Sequence, residues 1–235
     1  MELYTLTKSL HYLIGIAALG SFWIAGLSRK GSRVHTTAGK VYLLAMAGII
    51  ASALVMTVIG TISGPGPRDA FFGYLLVITS TSCWLSWRAI RDKRDFARYT
   101  GPIYRMLAVL NLVAGVGIFV VGISIGSTLF SGFSLIGVYI GFDMFRTRRR
   151  GPDGPLWWRG EHIAGMLGNG VATHIAFLSI GLPKLLPMLA GGTLQMLAWF
   201  GPLAIATVLG IWLKRKYPSA PIRSANTTPV LAKPL

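Results

Sequence analysis

Four histidines are the residues of this chain best suited to chemistry: His11, His35, His162 and His174. Imidazole titrates near neutrality and ligates metals through either ring nitrogen, so a histidine held in an apolar setting is a candidate for proton transfer, metal ligation or axial ligation of haem iron. All four stand in or beside long apolar runs. Glu161, Asn169, Asn111, Asp143 and Gln195 also stand there, and polar groups at such positions are functional candidates because hydrocarbon penalises them. Cys83 is the only cysteine, which rules out a disulfide framework or a thiolate metal site and reads as a buried thiol.

The apolar runs that must position these groups are seven: residues 9–27, 39–62, 70–87, 104–123, 127–145, 162–182 and 193–213. Each is long enough to cross about 30 Å of hydrocarbon at about 1.5 Å per residue. The division inside 104–145 falls at Ser124-Ile125-Gly126-Ser127-Thr128. Uncut, this stretch is too long for one span and would put the flanking basic loops on opposite faces. The fold class is therefore all-α, a polytopic membrane protein with seven transmembrane helices. Residues 1–217 make one transmembrane domain, and 218–235, rich in proline and small polar residues, reads as a disordered cytoplasmic tail.

Charge sets the orientation. Of 23 lysines and arginines, all but Lys8, Arg68 and Lys184 fall in the loops after spans one, three, five and seven. By the positive-inside rule the N-terminus is outside and the C-terminus cytoplasmic. A formal net charge of +16 would point to nucleic acid in a soluble protein. Here it is spread over juxtamembrane loops facing anionic inner-leaflet lipid, so nucleic-acid binding is not expected. The first span carries a histidine and lacks a small-residue cleavage site, and it reads as a retained helix rather than a signal peptide. Residues 88–99 read either as a short surface helix or as a solvated loop, and Trp157-Trp158 as an interfacial anchor.

In this topology His35 and His162 form an inner pair at the starts of spans two and six. His11 lies near the outer end of span one, and His174, twelve residues beyond His162, extends toward the middle or outer half and makes an outer pair with His11. Two such pairs would hold two haems. A twelve-residue step turns the helix by roughly 120°, however, so His162 and His174 share a face only if the helix is distorted near Gly168-Asn169-Gly170. At most one haem b, on the inner pair, is therefore expected. His162, Gly165, Asn169 and Thr173 do share a face. Glu161 reads as a proton-relay or coordinating partner of His162 and His35, or as an ion-pair partner of Arg159 or Arg146–Arg150. The numerous glycines within the spans read as helix-packing sites.

The sequence around spans one and two runs Leu10-His11-Tyr12, then Arg29-Lys30-Gly31, then His35-Thr36-Thr37-Ala38-Gly39-Lys40-Val41-Tyr42. It resembles a family of bacterial multi-pass membrane proteins catalogued as a domain of unknown function, which carry a first-helix histidine, a basic Lys-Gly loop and an H-x-x-x-G-[KR]-x-Y element. His162 through Gly168, Ala172 through Phe177 and Trp212 through Tyr217 follow the same pattern. The resemblance implies a bacterial inner-membrane location, gives His11, His35 and His162 as family positions, and implies no activity. The chain departs from it at Gly165, where a basic residue is expected, and at His174. With Gly39 one turn beyond His35 to admit a neighbour and Tyr42 at the interface, the element is also intelligible as packing. The functional expectation is a membrane-embedded redox or haem-binding protein. The alternatives are a small-solute or proton-coupled transporter using Asn111, Glu161 and Asn169, and a membrane protein with a purely structural role.

Overall fold

A computed structural model describes residues 2–187 and 192–219. The helices are α1 (Glu2–Leu27), α2 (Arg33–Ser63), α3 (Pro67–Arg91), the single turn α4 (Phe96–Tyr99), α5 (Pro102–Ser124), α6 (Thr128–Arg150), α7 (Trp157–Ile175), α8 (Leu182–Leu185) and α9 (Gly192–Lys216). A π-helical turn, Ala176–Gly181, continues α7 into α8. Seven helices are long and apolar enough to cross a membrane, the sixth being α7 together with its π-helical turn. The protein is a multi-pass helical membrane protein. Beyond residue 219 the expected tail lies outside the described residues.

Local chemistry sets the helix ends. Ser32 caps α2 by accepting from the His35 N–H, and Ser127 caps α6 by accepting from the Phe130 N–H. Pro67 and Pro102 open α3 and α5, where a missing N–H costs nothing. The long apolar stretch breaks at Ile125–Ser127, where Gly126 takes φ +66°, a conformation that side-chain-bearing residues rarely adopt. The same need explains Gly31, at φ +80° in the turn between α1 and α2.

Helices α1, α2, α3 and α7 pack in sequence around a ring, α1 against α2, α2 against α3, α3 against α7 and α7 back against α1. Thus α2 and α7 face each other across its diagonal. The core of this ring holds Ala18, Tyr42, Ala45 and Met46, with Phe22, Cys83 and Met166 against them. The α5–α6 hairpin docks on the other side of α3, and α9 packs on α7.

The glycines divide by role. On the hairpin, a Cβ at Gly141 would meet the Ala108 carbonyl at 2.6 Å, and one at Gly122 would meet the Ser131 nitrogen at 2.6 Å. On α7, a Cβ at Gly165 would meet the Ser86 nitrogen at 2.7 Å, and one at Gly170 the Phe22 ring at 2.5 Å. These glycines bring backbones together, as packing in lipid requires. They do not loosen α7, which runs regularly through Gly168-Asn169-Gly170. The departure from α-helical geometry comes later, at Ala176. Gly15, Gly20, Gly26 and Gly39 face open space, and nothing in the packing explains them.

One end of the bundle gathers the basic loops. There the Arg148 guanidinium donates to the Thr100 carbonyl and the Leu156 N–H to the Ser219 carbonyl. Residues 88–99 are neither a surface helix nor a free loop. Helix α3 extends to Arg91, Asp92 is buried between Arg88 and Arg98, and α4 seats Tyr99 in an aromatic cluster with Trp84, Tyr104 and Trp157. Trp157 is thus part of the core rather than an anchor. Trp158 instead carries Lys93 and Arg159 over its ring.

Candidate functional site

At the basic end of the ring, Nδ1 of His35 lies 2.9 Å from the Ala25 carbonyl of α1, and Nδ1 of His162 lies 3.0 Å from the Ser86 carbonyl of α3. A carbonyl only accepts, so both rings carry their proton on Nδ1. Their Nε2 lone pairs have no partner among the described residues. His35 and Lys30 are both near enough to His162 for their charges to act on it, so the two histidines stand at the same end of the ring, one on α2 and one on α7. Three separate elements hold them. The Ser32 cap fixes the first turn of α2, the C-terminus of α1 presents the Ala25 carbonyl, and Gly165 lets α7 approach α3 closely enough for His162 to reach Ser86.

Lys30 donates to the Ala25 and Gly26 carbonyls, neutralising the negative end of α1. Burial lowers its pKa, and the neighbouring Lys216 lowers it further. Lys30, from the α1–α2 turn, thus stands near His162, and Lys216, from the end of α9, stands near Lys30.

The face of α7 beyond His162 is polar and dry. Asn169 is fully buried, with its Nδ2 donating to Ser86 Oγ at 3.4 Å and its carbonyl oxygen unpartnered among the described residues. Thr173 Oγ1 meets Tyr42 Oη at 2.9 Å and also lies against Met46 Sδ. Tyr42 is thus buried in the ring rather than interfacial. The H-x-x-x-G-[KR]-x-Y spacing places His35 and Tyr42 seven residues apart on one face of α2, turned toward α7. The room needed for a basic residue at position 165 is taken by the Ser82 and Ser86 backbone.

The other candidates stand apart from the pair. Glu161 accepts from Tyr99 Oη at 3.0 Å, on the side of α7 facing α4, and makes no ion pair with an arginine among the described residues. Burial, reinforced by the Glu161 charge, holds the Tyr99 phenol well above its ordinary range, so it stays a donor. His174 donates from Nδ1 to the Gly170 carbonyl and accepts from Trp23 Nε1 at 3.0 Å, which occupies both ring nitrogens. His11 pairs instead with Ser52 at 2.8 Å; Ser52 spends its own proton on the Gly48 and Ile49 carbonyls. The expected outer pair of His11 and His174 is not formed. Asn111 lies outside the ring, between α5 and α3, donating at 2.7 Å to both Thr81 Oγ1 and the Leu107 carbonyl.

Sequence reasoning missed Ser86, Ala25, Lys30 and Tyr42 as members of the site. Only Tyr42 had a signal in the sequence, its i+7 relation to His35.

Protein-family models, curated proteins and solved structures yield no match to this chain. The geometry alone therefore carries the functional reading.

Among the described residues no group of three or more histidine, cysteine, aspartate or glutamate side chains is placed to hold a metal ion. A bare divalent ion needs three or four protein ligands. Haem iron needs only one or two, because the macrocycle supplies the rest.

Proposed function

We propose that this protein is a seven-span protein of the bacterial inner membrane, N-terminus outside, that binds one haem b between His35 and His162 at the cytoplasmic rim and serves as a membrane redox protein. The observation that carries the proposal is the tethering of both Nδ1–H groups to backbone carbonyls. This fixes the tautomer and aim of each imidazole, makes it a better donor and leaves Nε2 for the iron. When bound, haem would supply one-electron redox chemistry. The chain contributes one imidazole from α2 and one from α7 at the same end of the ring, with Lys30 and, near it, Lys216 as cations suited to haem carboxylates. Tyr42, Phe22 and Met46 close the ring beyond the histidines and keep water from it.

Orientation and family belong to the same proposal. The first is supported by the basic loops at one end of the bundle, the second by the His11, His35, Gly39-Lys40 and Tyr42 pattern. A reporter fused after Tyr217 is expected in the cytoplasm and one beside Arg68 outside; finding both on one side would refute the span count. The haem reading is tested by the visible spectrum of protein purified from haem-replete cells. A strong band that shifts on reduction is expected. A colourless, folded protein would end this reading and favour a carrier, although Asn111, Asn169 and Glu161 occupy three separate interfaces rather than one conduit.

A further inference from the structure

The outward face of α6 carries a stripe that neither the fold nor the histidine site uses. Leu135, Tyr139, Phe142, Arg146 and Arg149 follow one another at intervals of four, three, four and three residues, and so lie along one side of the helix. Leu135, Tyr139 and Phe142 are 58%, 66% and 64% exposed, and both arginines are exposed. The opposite face, with Phe133, Gly137, Gly141 and Met144, is the one buried against the rest of the bundle. Phe142, Phe145, Arg146, Arg149 and Arg150 together line a shallow recess where the apolar part of the stripe meets the charged part.

The three arginines of this recess are not equivalent. Arg150 is engaged by Asp153 at 3.0 Å, whereas no ion pair occupies Arg146 or Arg149 among the described residues. Residues three apart on a helix place their Cβ atoms about 5–6 Å from each other, close enough for two guanidiniums to grip one phosphate. The apolar part of the stripe descends about 10 Å from Phe142 to Leu135 at helical rise, which suits the upper part of an acyl chain.

We infer that this stripe is a binding site for one phosphatidylglycerol-type lipid, its phosphodiester held by Arg146 and Arg149 and one acyl chain laid along Phe142, Tyr139 and Leu135. The charge of the two free guanidiniums selects an anionic headgroup over a zwitterionic one. The unbroken apolar continuation into the hydrocarbon selects a lipid over free phosphate. The site is independent of the histidine pair.

The test is native mass spectrometry of the full chain released from nanodiscs containing equal phosphatidylglycerol and phosphatidylcholine. Wild type is expected to retain phosphatidylglycerol selectively. Arg146→Gln/Arg149→Gln should reduce that retention at least five-fold, while Arg91→Gln/Arg94→Gln, in a separate recess of the basic rim, should keep it within two-fold. Phe142→Ala, which leaves the charge intact, should weaken retention by about half or more; it serves as the readout if the double variant does not fold. Added inorganic phosphate should not displace the lipid. Equal retention of both lipids by wild type, equal loss in both arginine pairs, or displacement by phosphate would overturn the assignment.

Discussion

Two asparagines, both fully buried and both bonded to α3, show how differently the two sides of that helix are built. Asn111, on the hairpin side, donates two hydrogen bonds at 2.7 Å. Asn169, on the ring side, donates one at 3.4 Å, and both leave their side-chain oxygen unpartnered among the described residues. The hairpin side is also closed by short side-chain-to-backbone bonds: Tyr74 Oη donates to the Phe133 carbonyl at 2.7 Å and accepts from the Gly137 N–H at 2.8 Å. On the ring side the equivalent space is filled by histidine, threonine, tyrosine and methionine side chains. In lipid, where packing rather than the hydrophobic effect joins helices, the interface with the shorter and more numerous hydrogen bonds serves as scaffold. The more loosely bonded one is where a ligand can be taken up.

The largest effect that would test this contrast is steric. Gly141→Leu should drive a side chain into the Ala108 carbonyl and Leu112, costing about 3 kcal/mol or more and collapsing the thermal midpoint in detergent. A variant with an unchanged midpoint would show that the hairpin is not the rigid half. Asn111→Ala should come next, at about 1–2 kcal/mol, since it removes two short hydrogen bonds from a fully buried site. Asn169→Ala should cost about 0.5 kcal/mol yet change the absorbance of the haem-loaded protein, because Ser86 loses its second link to α7. If Asn169→Ala destabilised more than Asn111→Ala, the two sides would have been assigned the wrong way round. His174→Ala should have the smallest spectroscopic effect, leaving the bands in place, because both its ring nitrogens are already used inside the protein.

The spans and the gathering of basic loops at one end were legible because hydropathy and charge are local properties of the chain. So was the placing of His35 and His162 at the same end of the bundle, since span ends and loop charge fix depth. The partners were not legible. The carbonyls of Ala25 and Ser86 reach the two histidines only through helix neighbours remote in sequence. Tyr42 and Trp157 were read as interfacial from residue type, but Thr173 and α4 respectively offer them buried positions. Glu161, read as a partner of His162 and His35 or of an arginine, meets Tyr99, since the burial of α4 was not visible in a run of charged residues. The partner of His174 was equally hidden, because Trp23 comes from α1, remote in sequence. Along α1 and α7, which run in opposite directions, the lean of side chains toward each helix N-terminus brings Trp23 and His174 together.

The most direct test of the central claim is electron paramagnetic resonance of the oxidised, haem-loaded protein. Two axial imidazoles should give a low-spin signal in wild type, and His35→Ala and His162→Ala should each convert it to high spin, with the double variant losing the haem. A low-spin signal that survived either single substitution would contradict the assignment of this histidine pair.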